Sequence, residues 1–199
     1  MSAEPVAAPR ATRRRGDALV GAIHAAVMDE LAEVGYGGLS IERVAERAHT
    51  GKASIYRRWP NRLELVLEAI DQVMPRLAQA PHTGSVREDL LVVLRLIATT
   101  MSSREGAAAK ACVDGPDDEL ARAVRERLLP PRKAMMLEIL RNGAERGEVR
   151  PEAVTTRIAE AGPMLLHGEL LQRGAPIADD AVVAIVDEVL MPLLRPTAS

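Results

Sequence analysis

No phenylalanine occurs in this chain, and aromatic side chains are confined to Tyr36, Tyr56 and Trp59. All three precede residue 61, so the core of residues 61–199 is expected to be Leu, Val, Ile, Ala and Met. Aromatic stacking cannot hold a flat ligand in that part of the chain. The one cysteine, Cys112, excludes an intrachain disulfide and fits a reducing compartment. Between Ala111 and Val113 it reads as a small buried hydrophobe rather than a redox sensor. No apolar run approaches the length of a membrane-spanning helix. The basic cluster Arg13–Arg15 has no apolar secretory segment behind it. A soluble, cytoplasmic protein is therefore expected. The chain holds no GxSxG, Walker loop, dinucleotide fingerprint or HExxH, so neither catalytic residues nor a cofactor are expected. His24, His49, His82 and His167 show no ligand spacing with Cys112 or one another, which argues against a metal site. His24 is expected near the surface of its helix.

What is present is 47 % apolar residues in a 199-residue chain, enough for a sizeable core. Their spacing is helical throughout and β-branched alternation is absent, which predicts an all-α fold of about nine helices. Charge is uneven. Residues 1–62 hold 10 Lys/Arg against 7 Asp/Glu, a net of +3, and the remainder holds 16 against 21, a net of −5. A basic head on an acidic body suits a nucleic-acid reader with a separate regulatory part.

Residues 1–15 read as a disordered basic arm, residues 16–62 as a DNA-binding unit, and residues 63–199 as a second helical domain. The first helix is expected over 17–34, with Leu19, Ile23, Val27, Leu31 and Val34 on one face and Gly35 as its cap. Ser40 reads as the N-cap of a helix over 41–47, with Ile41, Val44, Ala45 and Ala48 inward. Residues 48–51 form a turn, and a short helix follows over 52–58. Ala53, Ile55 and Tyr56 are its expected anchor side, leaving Lys52, Ser54, Arg57 and Arg58 outside. Short donors and long cations on one face suit insertion into a major groove. Pro60 breaks this helix, and Asn61 caps a fourth one whose apolar stripe runs to Pro75. Further helices are expected over 86–101, 107–113, from 117 onward, 131–145, 152–172 with Pro163 inside, and 179–194. The last is apolar on more than one side, which predicts an oligomer interface.

Gly35-Tyr36, Leu39-Ser40-Ile41, Val44-Ala45 and the run from Gly51 to Arg62 closely resemble the N-terminal signature of TetR-type transcriptional repressors. The match spans roughly residues 17–70. Arg146 to Pro151, leading into a helix, resembles the C-terminal part of that family more loosely. The resemblance implies a homodimer paired through helices near 152–172 and 179–194. It implies a helix-turn-helix that binds a pseudo-palindromic operator in double-stranded DNA, and a small-molecule effector in the body that releases it. Carried over by position, the DNA-facing set is Ser40, Arg43, Thr50, Gly51, Lys52, Ala53, Ser54, Tyr56, Arg57 and Arg62, with Tyr56 and Arg62 at phosphates. His49 stands where the family usually has Gly, so either the turn differs there or His49 also reaches the backbone.

An effector pocket in this body would be aliphatic with a few polar points. Met101, Met136, Met164 and His167 are its candidate lining residues, with Arg95 and Gln172 as further polar points. His167 has a competing reading as a satisfied core histidine. A different class of function stays open at this stage: an all-α small-molecule binding protein whose helix-turn-helix is only scaffold.

Overall fold

The computed structural model describes residues 10–74, 79–114 and 118–196. Residues 1–9 of the expected arm, Pro75 and the Gly115–Asp117 break lie outside them. Every regular element among the described residues is helical.

α1 (Arg10–Gly38) starts ahead of the expected Asp17, and its regular run ends at Gly35. Gly35 takes a φ of 67°, a left-handed conformation that glycine adopts without a Cβ clash. Ile23, Val27 and Leu31 are buried as their spacing requires. Val34 is 45 % exposed instead, because the chain turns away immediately after it. α2 (Ile41–Arg47) is capped by Ser40, whose Oγ accepts from the Arg43 backbone N–H at 3.5 Å. Ile41, Val44, Ala45 and Ala48 all point inward. α3 (Lys52–Tyr56) has only five residues and owes its persistence to packing. α4 (Arg62–Val73) begins at Asn61, whose Oδ1 accepts from the Glu64 N–H at 2.9 Å.

The body comprises α5 (Val86–Met101), α6 (Arg104–Asp114), α7 (Asp118–Arg127), α8 (Leu129–Glu145) and α9 (Thr156–Arg173). It closes with α10 (Asp179–Ala184), a π-helical segment (Ile185–Leu190) and α11 (Met191–Leu194), which run on as one helical stretch. α6 starts three residues earlier than expected because Ser103 caps it, its Oγ accepting from Gly106 N–H at 3.0 Å. α9 starts later than expected. Pro151–Ala153 forms a short 3-10 turn, and Thr155 then accepts from Ile158 N–H at 3.3 Å as the true cap. Pro163 sits inside α9 without ending it. At Gly162 a Cβ would lie 3.0 Å from Leu94 and 3.2 Å from Leu190, so α5, α9 and the C-terminal stretch cross closely there, and a larger residue would need both leucines to shift by a few tenths of an ångström.

Two cores result. One joins Ile23, Val27, Ile55, Trp59, Leu65 and Ile70 to Ala108, Ala109 and Cys112 of α6 and to Leu120 and Val124 of α7. The other packs Leu90 and Leu94 of α5 against Ile139, Leu140, Leu166, Val186, Leu190 and Leu194. α4, α6 and α7 thus share the hydrophobic core of the helix-turn-helix head, and Cys112 is buried there. Apolar burial of this kind contributes about 25 cal/mol per Å², so α6 and α7 are fastened to the head by the same core that holds its own short helices.

Candidate nucleic-acid interface

The helix-turn-helix is braced from behind by one buried carboxylate. Glu30 of α1 is fully buried, a placement that demands cationic partners. Arg43 Nε reaches its Oε2 at 2.7 Å and Arg47 Nε its Oε1 at 2.9 Å. Arg43 also donates to the Gly38 carbonyl at 2.6 Å, and Arg47 pairs with Glu33. Arg43 was expected to face DNA. Its side chain is 47 % exposed, and its guanidinium also pairs with Glu30 and the Gly38 carbonyl, which ties α2 to α1. The sequence carried a signal for this: Glu30 lies three residues beyond Val27, on the apolar stripe itself.

The turn between α2 and α3 is held by Thr50 N–H donating to Ala45 O at 2.9 Å. His49 adopts φ 49°, the left-handed conformation its glycine-like position calls for. Gly51 is extended and hands the chain into α3. Within α3 only Ile55 is buried, at 1 % exposure. The expected anchor side is therefore narrower: Ala53 and Tyr56 face outward, Tyr56 at 55 %. A five-residue helix makes one and a half turns, so one inward side chain plus Trp59 beyond it suffices to seat it. Lys52, Ala53, Tyr56, Arg57 and Arg58 are exposed on this helix and its exit, with Ser54 and Thr50 half-buried beside them.

Two further groups edge this face. Ser40 Oγ donates to Glu42 Oε2 at 3.0 Å, and Lys52 Nζ donates to Glu42 Oε1 at 2.9 Å. Arg62, at the start of α4, lays its guanidinium over the Tyr36 ring, 4.2 Å from the centroid. That contact fixes a half-buried cation at the start of α4.

Trp59 joins the head to α4. It is 4 % exposed, and its indole N–H donates to Glu68 Oε2 at 2.7 Å. His24 was expected near the surface, but α4 covers it. It lies 5.6 Å from the Trp59 ring and 3.4 Å from Glu68 Oε1. Burial holds the His24 imidazole below its ordinary pKa of 6.5, with Glu68 pulling the other way. The unfolded chain then takes up this proton first as pH falls. Stability from this group is complete above about pH 6.5 and declines as pH drops through that value toward the folded pKa. Thermal unfolding followed across this range is expected to show that decline, and His24→Gln is expected to flatten it.

α4 is tied to the body by ion pairs. Arg127 of α7 grips Glu64 through both guanidinium nitrogens, at 2.6 and 2.8 Å, and Arg132 of α8 reaches Asp71 at 2.9 Å. On the far side Arg104 of α6 meets Asp29 of α1 at 2.7 Å. Beside α4 runs a groove of about 440 Å³ walled by Trp59, Glu64, Leu67, Glu68, Arg127 and Leu128.

The expected effector residues are not brought together around that groove. Met136 is buried in the second core, and Met101 packs against it from α5. Met164 is 67 % exposed and His167 is half-buried on α9. Arg95 is engaged with Asp179 at 2.7 and 2.9 Å, and Gln172 is exposed. The α9 spacing accounts for this: helical positions 164, 165 and 171 fall away from the side that buries Ala159, Gly162 and Leu166. Among the described residues, no helix is long and apolar enough to cross a membrane.

Residues 23–69 match the family model described as bacterial regulatory proteins, tetR family, and residues 80–189 match the tetracyclin repressor-like C-terminal domain. An uncharacterised HTH-type transcriptional regulator of Mycobacterium tuberculosis is 32 % identical over 165 residues, 82 % of each chain. The DNA-binding transcriptional repressor TetR of Mycobacteroides abscessus is 29 % identical over 188 residues, covering 92 % of this chain and 98 % of that protein. The crystal structure of the TetR family transcription regulator SCO0332 superposes with a TM-score of 0.62 at 28 % identity, covering 89 % of this chain and 99 % of the other.

Proposed function

This chain belongs to the TetR family of DNA-binding transcriptional regulators, and from that premise we propose that it is a repressor. It binds a pseudo-palindromic operator as a homodimer and is released by a small molecule in the body. The observation that carries the reading is the outward face of α3. Lys52, Ala53, Tyr56 and Arg57 are exposed while Ile55 alone anchors the helix. Donors and cations held on a short, rigidly seated helix are what a major groove accepts, with cations on phosphates and short side chains at base edges. Ser40, Thr50, Gly51, Ser54 and Arg62 flank that face and complete the contact set. Arg43 serves it by bracing α2.

The repressor reading takes support from the M. abscessus relative, whose name describes that activity. Release follows from the shared core. α6 and α7 contribute Ala108, Ala109, Cys112, Leu120 and Val124 to the head. An aliphatic effector accommodated between α5, α8 and α9 near Met101 and Met136 would shift those helices and, through Arg104–Asp29 and Arg127–Glu64, the head. Two heads repositioned in this way no longer match half-sites one helical turn apart.

Pairing is assigned to α9 and the C-terminal helical stretch. They carry Met164 at 67 % exposure, Leu165 at 38 %, Leu171 at 84 %, Val189 at 37 % and Leu193 at 41 %. Such a clustered apolar surface calls for a partner. Met164→Glu combined with Leu171→Glu is expected to convert the dimer to monomers in analytical ultracentrifugation while leaving the helical circular-dichroism signal unchanged. A dimer that survived both charges would place the interface elsewhere.

The whole proposal is tested by gel shift on the DNA upstream of the protein's own coding region. Salt-dependent retardation that an added small molecule reverses supports it. Absent or salt-insensitive binding favours the scaffold reading.

A further inference from the structure

Glu42 is the acidic side chain on the α2–α3 face that meets both Ser40 and Lys52. It is well exposed, with 63 % of its side chain accessible, so it is not there to fill a core. Its two oxygens divide two donors between them. Oε1 takes the Lys52 ammonium at 2.9 Å and Oε2 takes the Ser40 hydroxyl at 3.0 Å. Lys52 opens α3 and Ser40 caps α2, so the carboxylate bridges the entry points of the two helices. Donation from Lys52, from its own backbone N–H and from Ser40 brings the Glu42 carboxyl down to about pKa 2, so it is ionised at neutral pH.

We infer that Glu42 is an internal phosphate mimic, an anion that occupies Lys52 and Ser40 in the free protein and must be displaced when a DNA phosphate takes the same two donors. The inference rests on reading this face as a DNA interface. A tetrahedral phosphate and a carboxylate both offer two acceptor oxygens to a cation and a hydroxyl. The exchange therefore swaps one charge-assisted pair for another instead of adding one. Glu42 keeps Lys52 and Ser40 positioned before DNA arrives. It also lowers affinity for any duplex, because its pair with Lys52 must be broken before a phosphate can take the ammonium.

The consequence differs from that of an ordinary contact residue. Glu42→Gln keeps the length and the hydrogen-bonding oxygen while removing the charge. It is expected to tighten binding about two- to fivefold. The gain should be similar on the upstream fragment and on a scrambled duplex of equal length, since phosphate contacts carry no sequence information. The plot of log affinity against log salt should steepen by up to about one, because Lys52 then gains a phosphate without releasing a protein anion. In a Lys52→Gln background the same substitution should change affinity less than twofold, since the shared donor is gone.

The experiment is fluorescence anisotropy of both labelled duplexes against the full-length wild type, Glu42→Gln, Lys52→Gln and the double variant, with thermal unfolding of each. Tighter, steeper binding by Glu42→Gln that vanishes without Lys52 supports the mimic. Unchanged affinity and slope overturn it, and so does weakened binding to the upstream fragment, which would make Glu42 a direct base contact. A wild type that binds neither duplex overturns the DNA-interface reading itself, an outcome distinct from the first two.

Discussion

Tyr56→Ala and Lys52→Ala are each expected to weaken operator binding by about 1–3 kcal/mol, or roughly five- to 150-fold. Neither side chain holds the head together. Tyr56 is 55 % exposed, and the internal partner of Lys52 is the exposed Glu42. Loss of affinity without loss of melting temperature is therefore the expected pattern. The two substitutions should also differ in kind. Lys52→Ala removes a cation, so its effect shrinks as salt rises. Tyr56→Ala removes a neutral donor and apolar surface, so its effect persists at high salt. Titrations at two ionic strengths distinguish them, and unchanged affinity in both variants would show that α3 does not read DNA.

Trp59→Ala is expected to be the most destabilising single change in the head, at about 3–5 kcal/mol. Trp59 lies at 4 % exposure between the exit of α3 and α4, packed on His24 and hydrogen-bonded to Glu68. Its removal leaves a cavity beneath a five-residue helix that has no stability of its own. Glu68 adds little to the cost, because its side chain is 47 % exposed and water replaces the indole N–H. Urea unfolding followed by circular dichroism measures the loss; fluorescence does not, since Trp59 is the single tryptophan. Trp59→Phe is expected to restore most of the stability. DNA affinity should fall with Trp59→Ala even in the absence of urea, because α3 loses its seat before the body unfolds.

The contrast between these two residues shows what could be read in the chain before its fold was known. α2 and α5 run over the residues their caps and apolar spacing indicate, Ile41–Arg47 and Val86–Met101. Local signals define such elements: Ser40, the Ala positions of α2, and a clean stripe through Leu90 and Leu94. At His49 the family resemblance, with Gly usual at that position, left open whether the turn differs; the residue takes φ 49°. Pairings between distant residues were not legible. Arg43 sits at the right spacing for a phosphate; Glu30 stands out on the apolar stripe of α1, but which cation, 13 residues on, pairs with it is decided by the fold. His24 has a surface-like sequence context and is buried because α4 folds over it. Ser103 and Thr155 shifted the starts of α6 and α9 because capping side chains compete locally, and the apolar pattern is insensitive to a few residues at either end.

The division into head and body is where packing changes the picture most. A boundary near the start of α4 follows composition. The hydrophobic core instead carries α4, α6 and α7 with the head, leaving α5, α8, α9 and the C-terminal stretch as a separate core. The two cores are joined by ion pairs that run from the head to α6, α7 and α8, among them Arg104–Asp29, Arg127–Glu64 and Arg132–Asp71. The same division separates the methionines: Met136 is inside the body, while Met164 lies on the face assigned to the partner subunit.

The central claim is that exposed donors on α3 of two paired chains read DNA. The most direct measurement is anisotropy of a labelled duplex carrying the sequence upstream of the coding region, titrated with the full-length protein at a series of salt concentrations. The account predicts saturation at two chains per site and an affinity whose log–log dependence on salt has a slope steeper than about −3. Binding indifferent to salt, or none at all, would contradict it.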